Sequence, residues 1–308
     1  MANPAELVLG SVQLGLAYGA ANRTGKPSRR AALRLVRRAA ESGITKFDTA
    51  RAYGDSEARL GEALETRKAV RAITKLSPLS ELGDGATRED VRAAVDASIA
   101  SSMAALRRER IDCLLLHRAA HMTAFGGAIW ERLTEKLEDG TVLSLGVSVQ
   151  SPREALDALA HADVRHIQLA FNLLDWRWRE AGVIDDILER PHVTIHARSV
   201  FLQGILAADD ASVWPAIDGV NAGAVIRELS AIARDFGRES VADLCLAYAR
   251  GQDWIDGVVV GMETEAQLDD NLRLFVRPPL APEDCDEIAA RVPRVPLQLL
   301  DPAQWPKR

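Results

Sequence analysis

The sequence predicts an α/β fold of the (β/α)8 TIM-barrel type, one domain over residues 1–308, and three observations lead there. Short apolar runs suited to strands alternate along the chain with amphipathic stretches suited to helices, and eight such units are legible. Alternating β and α implies a parallel sheet, and eight units imply closure into a barrel. No GxGxxG follows the first apolar run, which argues against an open dinucleotide-binding sheet. Nor does any stretch of linker composition divide the chain.

Taken in order, Leu7 to Gly15 reads as the first strand, its glycines allowing close approach of a backbone or ligand. A polar loop, Ala17 to Ser28, is long enough to suggest a functional role at the barrel mouth. Ala32, Leu33, Leu35, Val36 and Ala39 then mark one face of a helix, and Gly43 is a suitable stop. The strand Ile44 to Asp48 leads to a helix at about Glu57 to Leu64, with Asp55 or Ser56 as its cap. The strand ending at Lys75 precedes a long helix from about Arg88 to Leu106. Ile111 to His117 is a strand, followed by a helix from about Phe125 to Leu137. After Gly140 come the strand Leu143 to Ser148 and a helix opened by Ser151-Pro152. The strand His166 to Ala170, a helix near Ala181 to Leu188 and the strand His192 to Ala197 follow. An irregular segment reaches Val220. Helices at Ala224 to Phe236 and Val241 to Ala249 precede the last strand, Gly257 to Gly261, and the helix Thr264 to Phe275.

Composition excludes several classes. Hydrophobic residues at 47% and charged residues at 27% supply a sizeable core with ordinary solubility. With 38 basic against 44 acidic residues, nucleic acid and anionic membrane are not expected partners. Arg29-Arg30 and Arg107-Arg108 read as solvated helix faces. The start, Met1 to Glu6, lacks a leader pattern and no apolar run reaches membrane-spanning length, so a cytoplasmic protein is expected. Three cysteines without CxxC spacing suggest neither a disulfide framework nor a metal site. Cys113 and Cys245 read as small buried hydrophobes.

Four ionisable residues stand at the ends of three successive strands: Asp48, Tyr53 on the turn beyond it, Lys75 and His117. A buried, unpaired Lys or Asp is costly, so packing alone explains the set poorly. In a parallel barrel all strand carboxyl ends face one way, and groups distant in sequence converge there. Such a set suits carbonyl reduction. The oxygen must gain a proton as hydride reaches the carbon, which requires a positioned acid. Free tyrosine titrates at roughly 10, and an adjacent ammonium favours its phenolate. Lys75, held by Asp48, is the candidate ammonium, while a nearby His117 would orient the carbonyl.

The order Asp48, Tyr53-Gly54-x-Ser56-Glu57, Lys75, His117 resembles the catalytic tetrad of the aldo-keto reductases. The likeness continues through Leu9-Gly10, Gly43-Ile44, Leu145 to Ser148 and Gly261 to Asn271, nearly the whole chain. It implies a nicotinamide-dependent barrel enzyme that reduces a small aldehyde or ketone, a sugar-type carbonyl being one option. Tyr53 would be the acid, Asp48 and Lys75 would tune it and His117 would orient the substrate. His121 has no motif behind it and reads as a loop residue.

By the same resemblance the cofactor would contact Gly10, Ser148, Gln168, Arg198, Ser199, Leu202, Gln203, Gly204, Gly261, Met262, Glu263, Gln267 and Asn271. Gly261 opens a helix after the last strand, a place where phosphate is commonly received. There the chain departs from the family pattern: the usual basic residue is missing, and Glu263 and Glu265 add negative charge, so NAD(H) is expected over NADP(H). Val149 replaces a usual Asn, and Arg198 stands about where many relatives carry an aromatic ring. Trp176 and Trp178 either wall a substrate pocket or pack against neighbouring loops; Trp130 reads as core. A second functional reading is a nicotinamide-sensing regulator acting on a protein partner, as in channel β subunits and some bacterial cell-cycle regulators that resemble this family.

Overall fold

The computed structural model describes residues 5–67, 69–83 and 85–306 of the chain. The first four residues, on which the expectation of no leader partly rests, lie outside them. Eight parallel strands close into a barrel in sequence order: β1 Glu6–Gly10, β2 Lys46–Asp48, β3 Arg71–Lys75, β4 Cys113–Leu116, β5 Leu145–Val149, β6 Val164–Ala170, β7 Thr194–Arg198 and β8 Gly257–Gly261. Closure is made by β1 against β8, in register from Glu6 opposite Gly257 to Gly10 opposite Gly261. Among the described residues no helix is long and apolar enough to cross a membrane.

Around the strands lie α1 Val12–Gly15, α2 Arg29–Glu41, α3 Ser56–Leu64, α4 Arg88–Leu106, α5 Ala128–Glu138, α6 Pro152–Leu159, α7 Arg177–Glu180, α8 Val183–Leu188, α9 Ala222–Asp235, α10 Val241–Arg250 and α11 Glu265–Phe275, then α12 Pro282–Arg291 and α13 Leu297–Leu300. Side chains of Ser28, Thr87, Ser151, Asn221, Ser240 and Thr264 each accept a backbone N–H of the first helical turn that follows. Each such cap stabilises its helix by about 1 kcal/mol, which is why these helices begin where polar residues interrupt the apolar pattern. On α2 the predicted face, Ala32, Leu33, Leu35, Val36 and Ala39, is buried.

Alternate residues of each strand point inward. Val8, Ile73, Cys113, Leu115 and Val259 form a small apolar cluster separate from the main core, which consists of the outer strand faces and the helices. Polar residues share the interior, where His166, Gln168 and His196 are buried with Asp48 and Lys75. Cys113, Cys245 and Cys285 are all buried free thiols, and Trp130 is buried in the core. Arg29 pairs with Glu62 on an exposed helix face, but Arg107 and Arg108 lie past the end of α4 and are not a solvated helix face. Arg107 is its left-handed cap and pairs with Glu65, and Arg108, half-buried, donates to the Arg67 and Val70 carbonyls.

Several elements differ from the sequence expectation: strand ends shift by one to two residues at β2, β4, β5 and β6, α7, α12 and α13 were not predicted, and three further differences have a clear local cause. The first strand stops at Gly10, because Ser11 turns back: its N–H and its hydroxyl both donate to the Asp48 carbonyl, at 2.9 and 2.6 Å. The following residues wind into α1. Phe125, Gly126 and Gly127 adopt left-handed φ of 52, 63 and 84°, so α5 starts only at Ala128. The seventh strand runs from Thr194, not His192, since the Val193 N–H closes a turn onto the Arg190 carbonyl.

Candidate active site

The carboxyl ends of the strands open into a cavity of about 900 Å3, near the upper end of the ~300–1,000 Å3 usual for small-molecule and cofactor sites. Asp48, Tyr53 and His117 line it, and Lys75 lies directly beneath, almost wholly buried. The four residues therefore converge as their strand-end positions predicted. Lys75 Nζ donates to both oxygens of Asp48 at 2.8 Å and to the Thr49 carbonyl at 2.9 Å. All three ammonium hydrogens are thus engaged. The charge reaches Tyr53 through space, 5.1 Å from the ring centroid.

His117 meets the Tyr53 ring edge-on, with centroids 5.8 Å apart at 88°. Burial first, then the nearby charges of Lys75, Arg198 and Arg118, pushes its pKa down to about 4. It is therefore neutral at pH 7, an imidazole with one N–H to donate and no charge to repel the ammonium. Tyr18, on the long loop, also lines the cavity, and burial raises its pKa, so its phenol stays protonated.

Hydroxyl packing fixes the Tyr53 turn. Ser56 bonds Ser11 Oγ at 2.6 Å and the Ser11 carbonyl at 2.9 Å, and Thr49 bonds Ser56 at 3.0 Å. Neither Asp55 nor Ser56 acts as a side-chain cap of α3: Asp55 occupies the cap position, but its carboxylate accepts from Lys26 at 2.5 Å and Arg59 at 3.4 Å and from no backbone N–H of the helix, while Ser56 is already helical. Glu57 is fully buried, accepting from Arg51 and, at 2.6 Å, from Thr74. That ties α3 to β3 beside the lysine.

Of the expected cofactor contacts, Gly10, Ser148, Arg198, Ser199, Gln203, Gly204, Gly261, Glu263, Gln267 and Asn271 line the cavity. Gln168, Leu202 and Met262 do not. Leu202 and Met262 are fully buried in the core, and Gln168 lies below the floor, where its amide donates to Asp48 Oδ2 at 2.6 Å. Gln267 also holds the helix end together, its Oε1 accepting the N–H groups of Glu263 and Thr264 at 2.7 and 3.3 Å as half of the capping box of α11. Trp176 and Trp178 face away from the cavity. Trp178 is buried with its indole N–H on the Ala170 carbonyl at 2.8 Å, and Trp176 donates to the Val295 carbonyl beneath Arg294.

Two loops border the cavity. Ser199, Leu202 and Gln203 hold positive φ of 63, 45 and 55°, strain of about 1 kcal/mol or more each that clusters at ligand-binding loops. This turn meets the long loop across the mouth, the Ala21 N–H donating to the Gln203 carbonyl at 3.3 Å. Gln13 fills the space over Gly261, where a Cβ would fall 2.3 Å from its amide, and its buried Oε1 has no partner. Sequence reasoning passed over Gln13 and Tyr18, although both follow the first strand's carboxyl end. It also missed Glu239, Asp270 and Arg273, which line the far end of the cavity; their helical spacing gave no sign of it.

The chain belongs to the aldo/keto reductase family, whose model matches residues 6–292. No curated protein sequence matches it. Among solved structures it is similar to the aldo-keto reductase AKR11C1 from Bacillus halodurans in its holo form, with 20% identity, 95% of this chain and 93% of that chain covered, and a TM-score of 0.74. An assigned aldo-keto reductase of Pseudomonas aeruginosa is similar at 21% identity over 88% of this chain and 89% of its own, with a TM-score of 0.63. At these identities the structural likeness concerns the fold. Members of the family are mostly NAD(P)H-dependent oxidoreductases acting on small carbonyl compounds.

Proposed function

We propose, with membership of the aldo/keto reductase family as the premise, that this chain reduces an aldehyde or ketone to the alcohol using a bound nicotinamide dinucleotide. One observation carries the reading: Asp48, Tyr53, Lys75 and His117 meet at a cavity of about 900 Å3 at the carboxyl ends of the strands. The residues fit the cofactor. Ser148 and Arg198 line the end near Tyr53, the strained turn Ser199 to Gly204 borders the middle, and the start of α11 with Asn271 lies at the far end. When bound, the reduced nicotinamide supplies hydride to the carbonyl carbon.

The chain's own residues handle the proton. Tyr53 gives its phenolic hydrogen to the carbonyl oxygen, and the fixed ammonium of Lys75 stabilises the phenolate left behind. Asp48 keeps that ammonium in place, and Gln168 in turn steadies Asp48. Neutral His117 donates its N–H to the same oxygen, which polarises the carbonyl and sets its orientation.

Oxidation of NADH by a panel of reactive aldehydes, followed at the reduced-nicotinamide band, tests the proposal. Tyr53→Phe removes only the hydroxyl, so turnover should fall by roughly 10²- to 10⁴-fold with cofactor affinity little changed. A variant as fast as the wild type would sink the mechanism. A wild type slow with every carbonyl would instead favour a nicotinamide-sensing regulator.

A further inference from the structure

The cavity that Tyr53 lines also carries a guanidinium, Arg198, whose charge no carboxylate among the described residues cancels. Among the described residues three arginines line the cavity. Arg23 pairs with Asp210 at 3.1 Å and Arg273 with Glu239 at 2.5 Å. Arg198 instead donates to two neutral acceptors, the Val149 carbonyl at 3.2 Å and Ser199 Oγ at 3.4 Å, and no ion pair among the described residues involves it. These two bonds leave most of its five N–H donors uncommitted.

Its place is the catalytic end. The Arg198 charge is felt at both Tyr18 and His117, which line the cavity with Tyr53. Gln13 presents to the same cavity the unpartnered amide oxygen described above, and Gln150, also in the lining, accepts from Arg177 through its carbonyl at 3.0 Å. The tryptophans that could have made an apolar wall are turned away. Of the carboxylates in the lining, Asp48 is taken by Lys75, and Glu239 and Asp270 by Arg273, while Glu263 follows the last strand. A partly desolvated cation without a counter-ion is unfavourable until an anion arrives, and a guanidinium forks well onto carboxylate or phosphate.

We infer that the carbonyl substrate is a polar compound bearing an anionic group, carboxylate or phosphate, which Arg198 holds while the carbonyl oxygen rests between Tyr53 and His117. The inference rests on the reductase reading and narrows its substrate class.

Two matched pairs test it: succinic semialdehyde against butanal, and glyceraldehyde 3-phosphate against glyceraldehyde. In the wild type at least one charged aldehyde should exceed its neutral partner by about tenfold or more in kcat/KM, and which pair responds identifies the anion. Arg198→Gln should collapse that ratio, and Arg198→Lys, which keeps charge without the fork, should give an intermediate one. NADH affinity of each variant, read by fluorescence, separates the alternative. Ratios near one in the wild type would overturn the inference, and so would a variant with weakened NADH binding and an unchanged ratio. If no aldehyde is reduced, the reductase reading is what fails. Calorimetric titration of the NAD+-saturated protein with succinate and with inorganic phosphate then decides on the anion site: binding abolished in Arg198→Gln supports it, and no binding to the wild type overturns it.

Discussion

A Cβ placed on Gly15 would lie 1.7 Å from the carbonyl oxygen of Tyr53. The turn that presents the phenol is therefore seated directly on the backbone of α1, and Gly54 closes the same contact from the other side, 2.6 Å from the Gly15 carbonyl by the same measure. Gly15→Ala cannot be absorbed by a rotating side chain, since both partners are main chain. It should lower stability by about 1–3 kcal/mol, the usual range for overpacking, and reduce turnover at least tenfold by shifting Tyr53. Gly83→Ala, with nothing within 4 Å, is the control and should leave both unchanged. Thermal unfolding and NADH oxidation measured on the two variants check this; a normally active Gly15→Ala protein would refute the packing argument.

The tetrad was legible because strand direction in a parallel barrel is fixed by topology, so residues at strand ends must share a face whatever lies between them. Lys75 and Asp48 could also be paired in advance, from the cost of burying either alone. The burial of Glu57 was not legible: the motif names the residue, but its place early in a helix does not tell that it packs inward onto Arg51 and Thr74. Gln168 was assigned to the cofactor by the family resemblance; its seat below the cavity floor, with its amide on Asp48, depends on depth along the barrel axis, which period-two alternation does not tell. Arg198 was read as an aromatic replacement beside the cofactor, and its lack of a carboxylate partner becomes visible only in three dimensions. The same holds for Trp176 and Trp178, whose indole acceptors, Val295 and Ala170, come from distant or backbone positions that no pattern announces.

His166 and His196 stack edge to face inside the barrel, 4.2 Å between centroids, and three of their four ring nitrogens are buried without a partner. Burial first, then Lys46 and Lys75, depresses His166 to about 3, and His196 falls well below its usual value through burial, His166 and the same two lysines. The unfolded chain binds these protons near pH 6.5 and the native barrel does not. Stability contributed by their neutrality is thus complete above that pH and is lost as pH falls from about 6.5 towards 3, at up to ~1.4 kcal/mol per pH unit for each histidine. Urea unfolding at pH 7.5 and 5.5 should show the loss, and the His166→Gln, His196→Gln double variant should show clearly less of it. Equal losses would mean that the carboxylates alone govern acid sensitivity.

Lys75 and Asp48 form an almost fully buried ion pair, so removing one partner strands the other. Lys75→Met should cost about 3–5 kcal/mol of stability, together with at least a hundredfold in turnover. Joining it to Asp48→Asn removes the orphaned charge, so stability should largely return. Turnover should not, because the field at Tyr53 is gone. Denaturant titration and NADH oxidation across the three variants make the check: activity that recovers with stability would show that the pair serves the fold and not the proton.

The far end of the cavity bears on cofactor choice. Glu239, Glu263 and Asp270 line it, and the arginine described there, Arg273, already pairs with Glu239 at 2.5 Å and approaches Asp270 at 3.5 Å. Arg34 and Arg38, the nearest cations on α2, are engaged by Glu265 and Asp269 outside the cavity wall. A 2′-phosphate there would find Arg273 already paired and would meet Glu263, which no ion pair among the described residues engages, while the hydroxyls of an unmodified ribose could donate to these carboxylates. Each phosphate contact with a free cation contributes on the order of 1–3 kcal/mol, and no such cation is free at this end among the described residues. NADH should therefore bind at least as tightly as NADPH. Glu239→Gln, which releases Arg273 from its partner, should improve NADPH binding severalfold and leave NADH nearly unchanged. Fluorescence titration of wild type and variant with both nucleotides decides, and a tenfold wild-type preference for NADPH would mean that a cation from elsewhere, such as Arg23 on the long loop, reaches the phosphate.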